Sequence, residues 1–241
     1  MNSIILKDNS GVISEPNILN HLHETLKAKP GDQLRFTLLN QGLCTGTLVS
    51  LNENKATIEL GEVNKGQEPW FDLIVGAARP QTTKKILEHA TTFGVRNIVF
   101  FKAAKSEKSY LTSKVFDEGE AFNSLIDGLS QSNCYYRLPK FELCAYNPAD
   151  RFHENDFGRF SKFILDLESS EDFLTYFKQE KINFNHPILL AIGPERGWIN
   201  EDIAPFKKAG FRSVKISSSV LRVEHAIYSA VSQLELIRKQ F

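Results

Sequence analysis

Two short clusters near the end of the 241-residue chain gather residue types suited to chemistry: Gly193-Pro194-Glu195-Arg196-Gly197 and Arg222-Val223-Glu224-His225. Gly193 and Gly197 lack a Cβ, so the main-chain N–H and C=O groups around them are open to close approach by a ligand. The plain alternative is an ordinary strand-to-helix turn. Arg222 and Glu224 stand two residues apart at a helix start, which points them to different sides of that helix. Here the plain alternative is a salt-bridged helix end. His225 has a charge that is labile near neutral pH, although a lone histidine at a helix start more often serves as a surface hydrogen-bonding group. Two common nucleotide sites are excluded: there is no Gly-Lys-Ser/Thr phosphate loop and no Gly-x-Gly-x-x-Gly after an early strand.

The elements that must hold these clusters are closely set. Ile188 to Ile192 is a continuous apolar run of strand length. Asn200 is placed as a helix N-cap, Glu201 and Asp202 suit the first turn, and Gly210 suits the residue that ends the helix. Val214 to Ile216 reads as the next strand, followed by a serine loop. A last helix runs from about Val220 with the stripe Ile227, Val231, Leu234 and Ile237.

Upstream, the same alternation of strand and helix starts at Phe71. Strands are expected at 71–77, 98–101, 141–145 and 163–167. Between them come a helix capped by Thr82 or Thr83 and ended by Gly94, then helices at about 118–130 and 170–179. Such alternation requires a parallel sheet with right-handed crossovers. Residues 1–66 differ in texture. Short runs at 4–6, 34–39, 47–51 and 56–60 are separated by turn clusters, with one helix at about 17–27, which gives a small β-rich barrel or sandwich. The polar joint Asn64 to Pro69 sets the expected boundary, with domains at 1–66 and 67–241.

Bulk properties narrow the function. The chain is 41% hydrophobic, as globular proteins are, and its formal net charge is zero, so nucleic-acid binding must come from local patches. Lys102, Lys105, Lys108 and Lys114, with Tyr110, form one such patch; Lys27, Lys29 and Arg35 form a weaker second. Cys44, Cys134 and Cys144 lie far apart, which suits reduced thiols and neither a disulfide frame nor a zinc site; no metal is implied. No apolar run approaches the ~20 residues of a membrane span, and the first residues do not read as a signal peptide. A cytoplasmic protein is expected.

Gly193-Pro194-Glu195 with Glu201 downstream, and Val220-Leu221-Arg222-Val223-Glu224 followed by Ala226, together resemble the two signature segments of the SPOUT (α/β-knot) RNA methyltransferases. The chain resembles most the bacterial 16S ribosomal RNA uridine-N3 methyltransferase family. Thr92-Phe93-Gly94-Val95, Gln131 and Leu138-Pro139 extend the likeness through most of 70–241. His23-x-x-x-Lys27 before Pro30-Gly31-Asp32 resembles the pattern of the family's N-terminal RNA-binding barrel. Arg196, Val223 and His225 depart from the family, which more often has glycine at the first position and threonines at the other two.

The resemblance implies an α/β protein with a C-terminal deep-trefoil-knot domain on a parallel sheet and a small N-terminal PUA-like β-barrel. It implies S-adenosylmethionine as cofactor, held by Leu190, Ile192, Gly193, Gly197, Ile216, Val220 and Leu221. The expected reaction is methylation of N3 of a uridine in 16S (small-subunit) ribosomal RNA by a homodimer. N3 must lose a proton, and a fixed cation near O2 or O4 would stabilise the imidate, a role that falls to Arg222. A carboxylate that orients the base or relays the proton is Glu195, Glu201 or Glu224, with Glu195 best placed. Lys27, Arg35, Arg79, Lys102, Lys105 and Lys108 are the expected RNA contacts, and ribosomal RNA or the small subunit is the expected partner. The alternatives are a non-catalytic RNA-binding or ribosome-assembly factor on the same fold, and a SPOUT methyltransferase with another RNA target.

Overall fold

The computed structural model describes residues 3–152, 160–180 and 187–240. It divides into two compact units, Met1–Pro69 with Ile126–Leu138, and Trp70–Leu125 with Pro139–Phe241.

The first unit is a mixed sheet of five strands that curls around its own core. β1 (Ile4–Leu6), β2 (Val12–Ile13), helix α1 (Pro16–Asn20), β3 (Gln33–Leu38), β4 (Gly42–Leu51) and β5 (Ala56–Leu60) follow in chain order, and the sheet order is β1-β3-β4-β5-β2. Only the β1–β3 pair is parallel. Alternation in β3 and β4 sends Leu34, Phe36, Leu38, Cys44 and Leu48 inward against Leu19 and Leu22. The helix expected at 17–27 is α1 running into a π-helical turn, His21–Thr25. Segment 126–138 belongs with this unit: Ser3 and Ser130 exchange hydrogen bonds, and Asn40 N–H and Gln67 N–H donate to the carbonyls of Tyr136 and Cys134. Such pairing across sequence leaves no local signature, and the sequence had placed this segment in the second domain.

The second unit carries the chemistry. In chain order it holds β6 (Phe71–Gly76), α2 (Pro80–Thr92), β7 (Val95–Phe101), α3 (Glu118–Ser132, whose second half counts with the first unit), β8 (Lys140–Cys144), β9 (Ser161–Leu165), α4 (Phe173–Glu180), β10 (Ile188–Ile192), α5 (Asn200–Lys208), β11 (Arg212–Val214) and α6 (Val223–Arg238). Six strands pair in the order β11-β9-β10-β6-β7-β8, every pair parallel. β6 and β10 are buried along their whole length; β10 is an unbroken apolar run, and the one charge in β6, Asp72, pairs with Arg96 of β7 at 2.8 Å. Ile74, Val99, Phe101, Ile164, Leu189 and Ala191 present one face to Phe206, Ala209 and Phe211 of α5 and its exit. Against the sheet, α2 touches β7, α6 touches β10, and the two helices pack on each other.

Helix ends differ from the local signals in an instructive way. α2 begins at Pro80 rather than at a threonine cap; Pro suits the first helical position because its missing N–H has no partner there anyway. The cap residue of α5 is Ile199, with Asn200 already helical. At its other end Gly210 takes φ +83°, its N–H donates to Lys207 and that of Phe211 to Phe206. Their rings meet edge-on at 5.0 Å, completing a Schellman closure.

Candidate active site

Three adjacent strands, β11, β9 and β10, release their chains at the same end of the sheet, where ligands of open α/β sheets bind. There a cavity of about 310 Å³ is walled by residues drawn from the exits of all three, within 165–168, 192–200 and 214–223. Its surface is predominantly apolar with a few polar groups, and its size suits a nucleoside-like molecule.

The glycine turn forms one wall. Gly197 has φ +67°, a conformation that side chains other than glycine adopt only with strain, and its N–H closes the turn on the carbonyl of Pro194 at 2.8 Å. Pro194 in turn packs on Gly76 at the end of β6, where a Cβ would come within 2.6 Å of the proline ring. Trp198 is the floor. Its indole N–H donates to the carbonyl of Leu165 at 2.9 Å, and its ring stacks with Phe101 and tilts against Phe206. The far wall is the serine loop after β11, held down where Gln233 Nε2 of α6 donates to the carbonyl of Ile216 at 2.9 Å. Val220, 81% exposed, stands at the mouth.

Ile192, Gly193, Gly197, Ile216, Val220 and Leu221 thus meet around one cavity, and Glu195 lines it with them. Leu190 lies two residues deeper in β10, fully buried in the sheet and outside the lining. Arg222 caps α6 and is exposed, outside the lining; Glu224 turns inward, is buried and pairs with Lys85 at 3.5 Å. Leu165, Asp166, Leu167, Glu168, Trp198 and Ile203 were not foreseen. The rule that ligands sit beyond the carboxyl ends of strands points to the first four, since the strand expected at 163–167 ends among them.

The basic residues are distributed as follows. Lys27 and Arg35 lie in the first unit, Lys27 with φ +49° and Arg35 exposed on β3. In the second unit Arg79, Lys102, Lys105 and Lys108 are all exposed. Two of them reach the glycine turn: Arg79 N–H donates to Glu195 Oε1 at 2.8 Å, and Lys105 Nζ to the carbonyl of Arg196 at 3.1 Å. A hydrogen bond with Tyr110, aided by the charges of Glu195 and Glu107, raises the pKa of the Arg79 guanidinium above its ordinary value.

An apolar cleft with an open glycine turn, an indole floor and carboxylates at Asp166 and Glu168 matches S-adenosylmethionine: the adenine requires apolar walls, and the ribose hydroxyls and ammonium require acceptors. Among the described residues no cluster of His, Cys, Asp and Glu has the makings of a metal site, and no helix is long and apolar enough to cross a membrane.

Comparison with known proteins agrees with this geometry. A family profile described as an RNA methyltransferase domain matches residues 66–235. The chain is 28% identical over 213 residues to ribosomal RNA small subunit methyltransferase E 1 of Borreliella burgdorferi, covering 87% of this chain and 86% of that protein. It is 26% identical to ribosomal RNA small subunit methyltransferase E of Treponema pallidum, over 87% of this chain and 79% of the other. A crystal structure of the corresponding methyltransferase E from Neisseria gonorrhoeae, bound to S-adenosyl methionine, shares the fold with a TM-score of 0.77 at 18% identity, over 98% of each chain.

Proposed function

The chain belongs to the RNA methyltransferase family, and on that premise we propose that it methylates N3 of a uridine in small-subunit (16S) ribosomal RNA, using S-adenosylmethionine. The observation that carries this reading is the cavity where the glycine turn, the loop after β9 and the serine loop after β11 converge. When bound, the cofactor supplies a methyl group on a positively charged sulfur. Ile192, Gly193, Gly197, Ile216, Val220 and Leu221 would hold it, with Trp198 beneath.

The remaining work falls to the chain's own groups. Uracil N3 gives up its proton, and charge spreads to O2 and O4; Arg222, exposed at the cap of α6 between the lining residues Leu221 and Val223, would hold that charge. Glu195 faces the cavity, while Glu201 is exposed on α5 and Glu224 is turned toward Lys85. Of the three carboxylates, this favours Glu195 for orienting the base or relaying its proton.

In this reading the curled sheet of the first unit is a PUA-like RNA-binding barrel using Lys27 and Arg35, within a domain of residues 1–66. Residues 67–241, apart from segment 126–138 that packs with the first unit, would form a knotted catalytic domain that dimerises. Arg79, Lys102, Lys105 and Lys108 follow the RNA backbone, and the protein acts in the cytoplasm.

The test is methyl transfer from labelled S-adenosylmethionine to unmodified small ribosomal subunits, with the product nucleoside identified by mass spectrometry. Labelled 3-methyluridine is expected. Another methylated nucleoside would move the reading to another target, and no label in subunits or naked RNA, from protein that binds cofactor, would overturn it.

A further inference from the structure

Loop 102–110 leaves β7 with Lys102, Lys105, Lys108 and Tyr110, and it is fastened to the glycine turn from two sides. On the exposed side Lys105 Nζ holds the carbonyl of Arg196 at 3.1 Å, and the Arg196 guanidinium faces Glu107 at 3.8 Å. On the buried side the fastening is one carboxylate. Asp202, 6% exposed, accepts the N–H of Ala104 on Oδ1 at 3.0 Å and the N–H of Ile199 on Oδ2 at 3.4 Å. Its own carbonyl accepts Asn147 Nδ2 at 2.9 Å, which draws in the loop after β8.

Capping α5 would need only an exposed Ser, Asn or Asp. A carboxylate withdrawn from water is costly unless its oxygens are satisfied, and here both are satisfied by different loops. Beside the stacking of Trp198 on Phe101, this one group is therefore the buried polar link between the lysine loop and the start of α5, whereas the exposed contacts are screened and weak.

We propose that Asp202 is a positioning residue that couples the two loops: a phosphate-bearing strand seated on Lys102, Lys105 and Lys108 tightens the cofactor turn, and cofactor tightens RNA binding in return. The inference rests on the methyltransferase reading above, and reciprocity follows because coupling between two binding sites is a single free energy.

The experiment is titration of S-adenosylhomocysteine into the full chain, with and without saturating unmodified small ribosomal subunits, for wild type, Asp202→Asn and Ala104→Pro. Asparagine offers one acceptor oxygen where the carboxylate offers two, so one loop is released. Subunits are expected to tighten ligand binding about tenfold in wild type and about twofold or less in Asp202→Asn. A role confined to stability would lower the melting temperature and leave that ratio alone. An unchanged ratio in Asp202→Asn, or a ratio near one in wild type, overturns the proposal. Should Asp202→Asn not fold, the exposed Ala104→Pro decides, because it removes the loop N–H that Asp202 Oδ1 accepts: a ratio reduced by about threefold supports coupling, and an unchanged one overturns it. Wild-type protein that binds no S-adenosylhomocysteine would instead overturn the methyltransferase reading, and the coupling with it.

Discussion

The carboxylate of Glu195 accepts the main-chain N–H of Arg79 at 2.8 Å, across 116 residues of sequence. A residue of the glycine turn thereby satisfies a donor at the start of α2, whose own cap residue makes no side-chain cap. Replacing Glu195 with alanine is expected to lower unfolding free energy by about 1 kcal/mol, and glutamine, which keeps an acceptor, by clearly less. Chemical denaturation of the two variants checks this. If Glu195 also relays the proton, glutamine will fold well yet turn over about 100-fold more slowly.

Arg222 is exposed and outside the cavity lining, so it can be removed without disturbing the walls. Arg222→Ala is expected to bind S-adenosylhomocysteine within about twofold of wild type. Its methyl transfer should fall by about 100- to 1,000-fold, as when a charge-stabilising donor is lost. Calorimetric titration and single-turnover assays separate the two effects. Full activity in a variant with normal binding would sink the assignment.

A Cβ added at Gly193 would stand 3.2 Å from the indole of Trp198, which itself is hydrogen-bonded to Leu165 and stacked on Phe101. The ring cannot retreat freely. Gly193→Ala is expected to weaken cofactor binding about tenfold through this displaced floor. The signal to follow is tryptophan fluorescence during titration, which should report a changed environment before any ligand is added.

His89 of α2 meets the hydroxyl of Tyr228 on α6, with Lys85, Glu88 and Glu224 around it. Burial pushes the pKa of His89 below its ordinary 6.5, with Lys85 acting in the same direction and Glu88 and Glu224 opposing it. The folded state therefore takes up its proton less readily than the unfolded chain. The stability from the neutral ring is full above about pH 6.5 and is lost as pH falls through the depressed value. Denaturation at about pH 7.5 and 5.5 should show a loss in wild type that His89→Gln reduces.

What could be read locally was read well, and what depended on distant partners was not. The unbroken apolar run of β10 announces a buried strand, and Gly210 announces the end of α5, because burial and left-handed backbone each leave a mark within a few residues. Local signals put the cap of α2 at Thr82 or Thr83, yet Thr83 is buried and its hydroxyl donates back to Ala78, while the satisfying group is Glu195. The apolar pattern puts β11 at 214–216, whereas it lies at Arg212–Val214 and Ile216 belongs to the loop that walls the cavity. β2, two residues long, carries too little pattern to detect. Within the site, the glycine turn and the serine loop were visible from residue type; Trp198 and Asp202 were not, since an indole floor and a buried strut are defined by what lies across the sheet.

The strand order β11-β9-β10-β6-β7-β8 has one further implication. The cavity is built from the exits of the first three strands in that order, whereas the lysine loop and its neighbours leave the last three. Inheritance can therefore act on the two halves separately. If the proposed RNA contacts hold, a descendant could acquire a new RNA target by rewriting the segments after β6, β7 and β8, while its grip on the methyl donor passed down unaltered, provided that the few struts between the halves were spared.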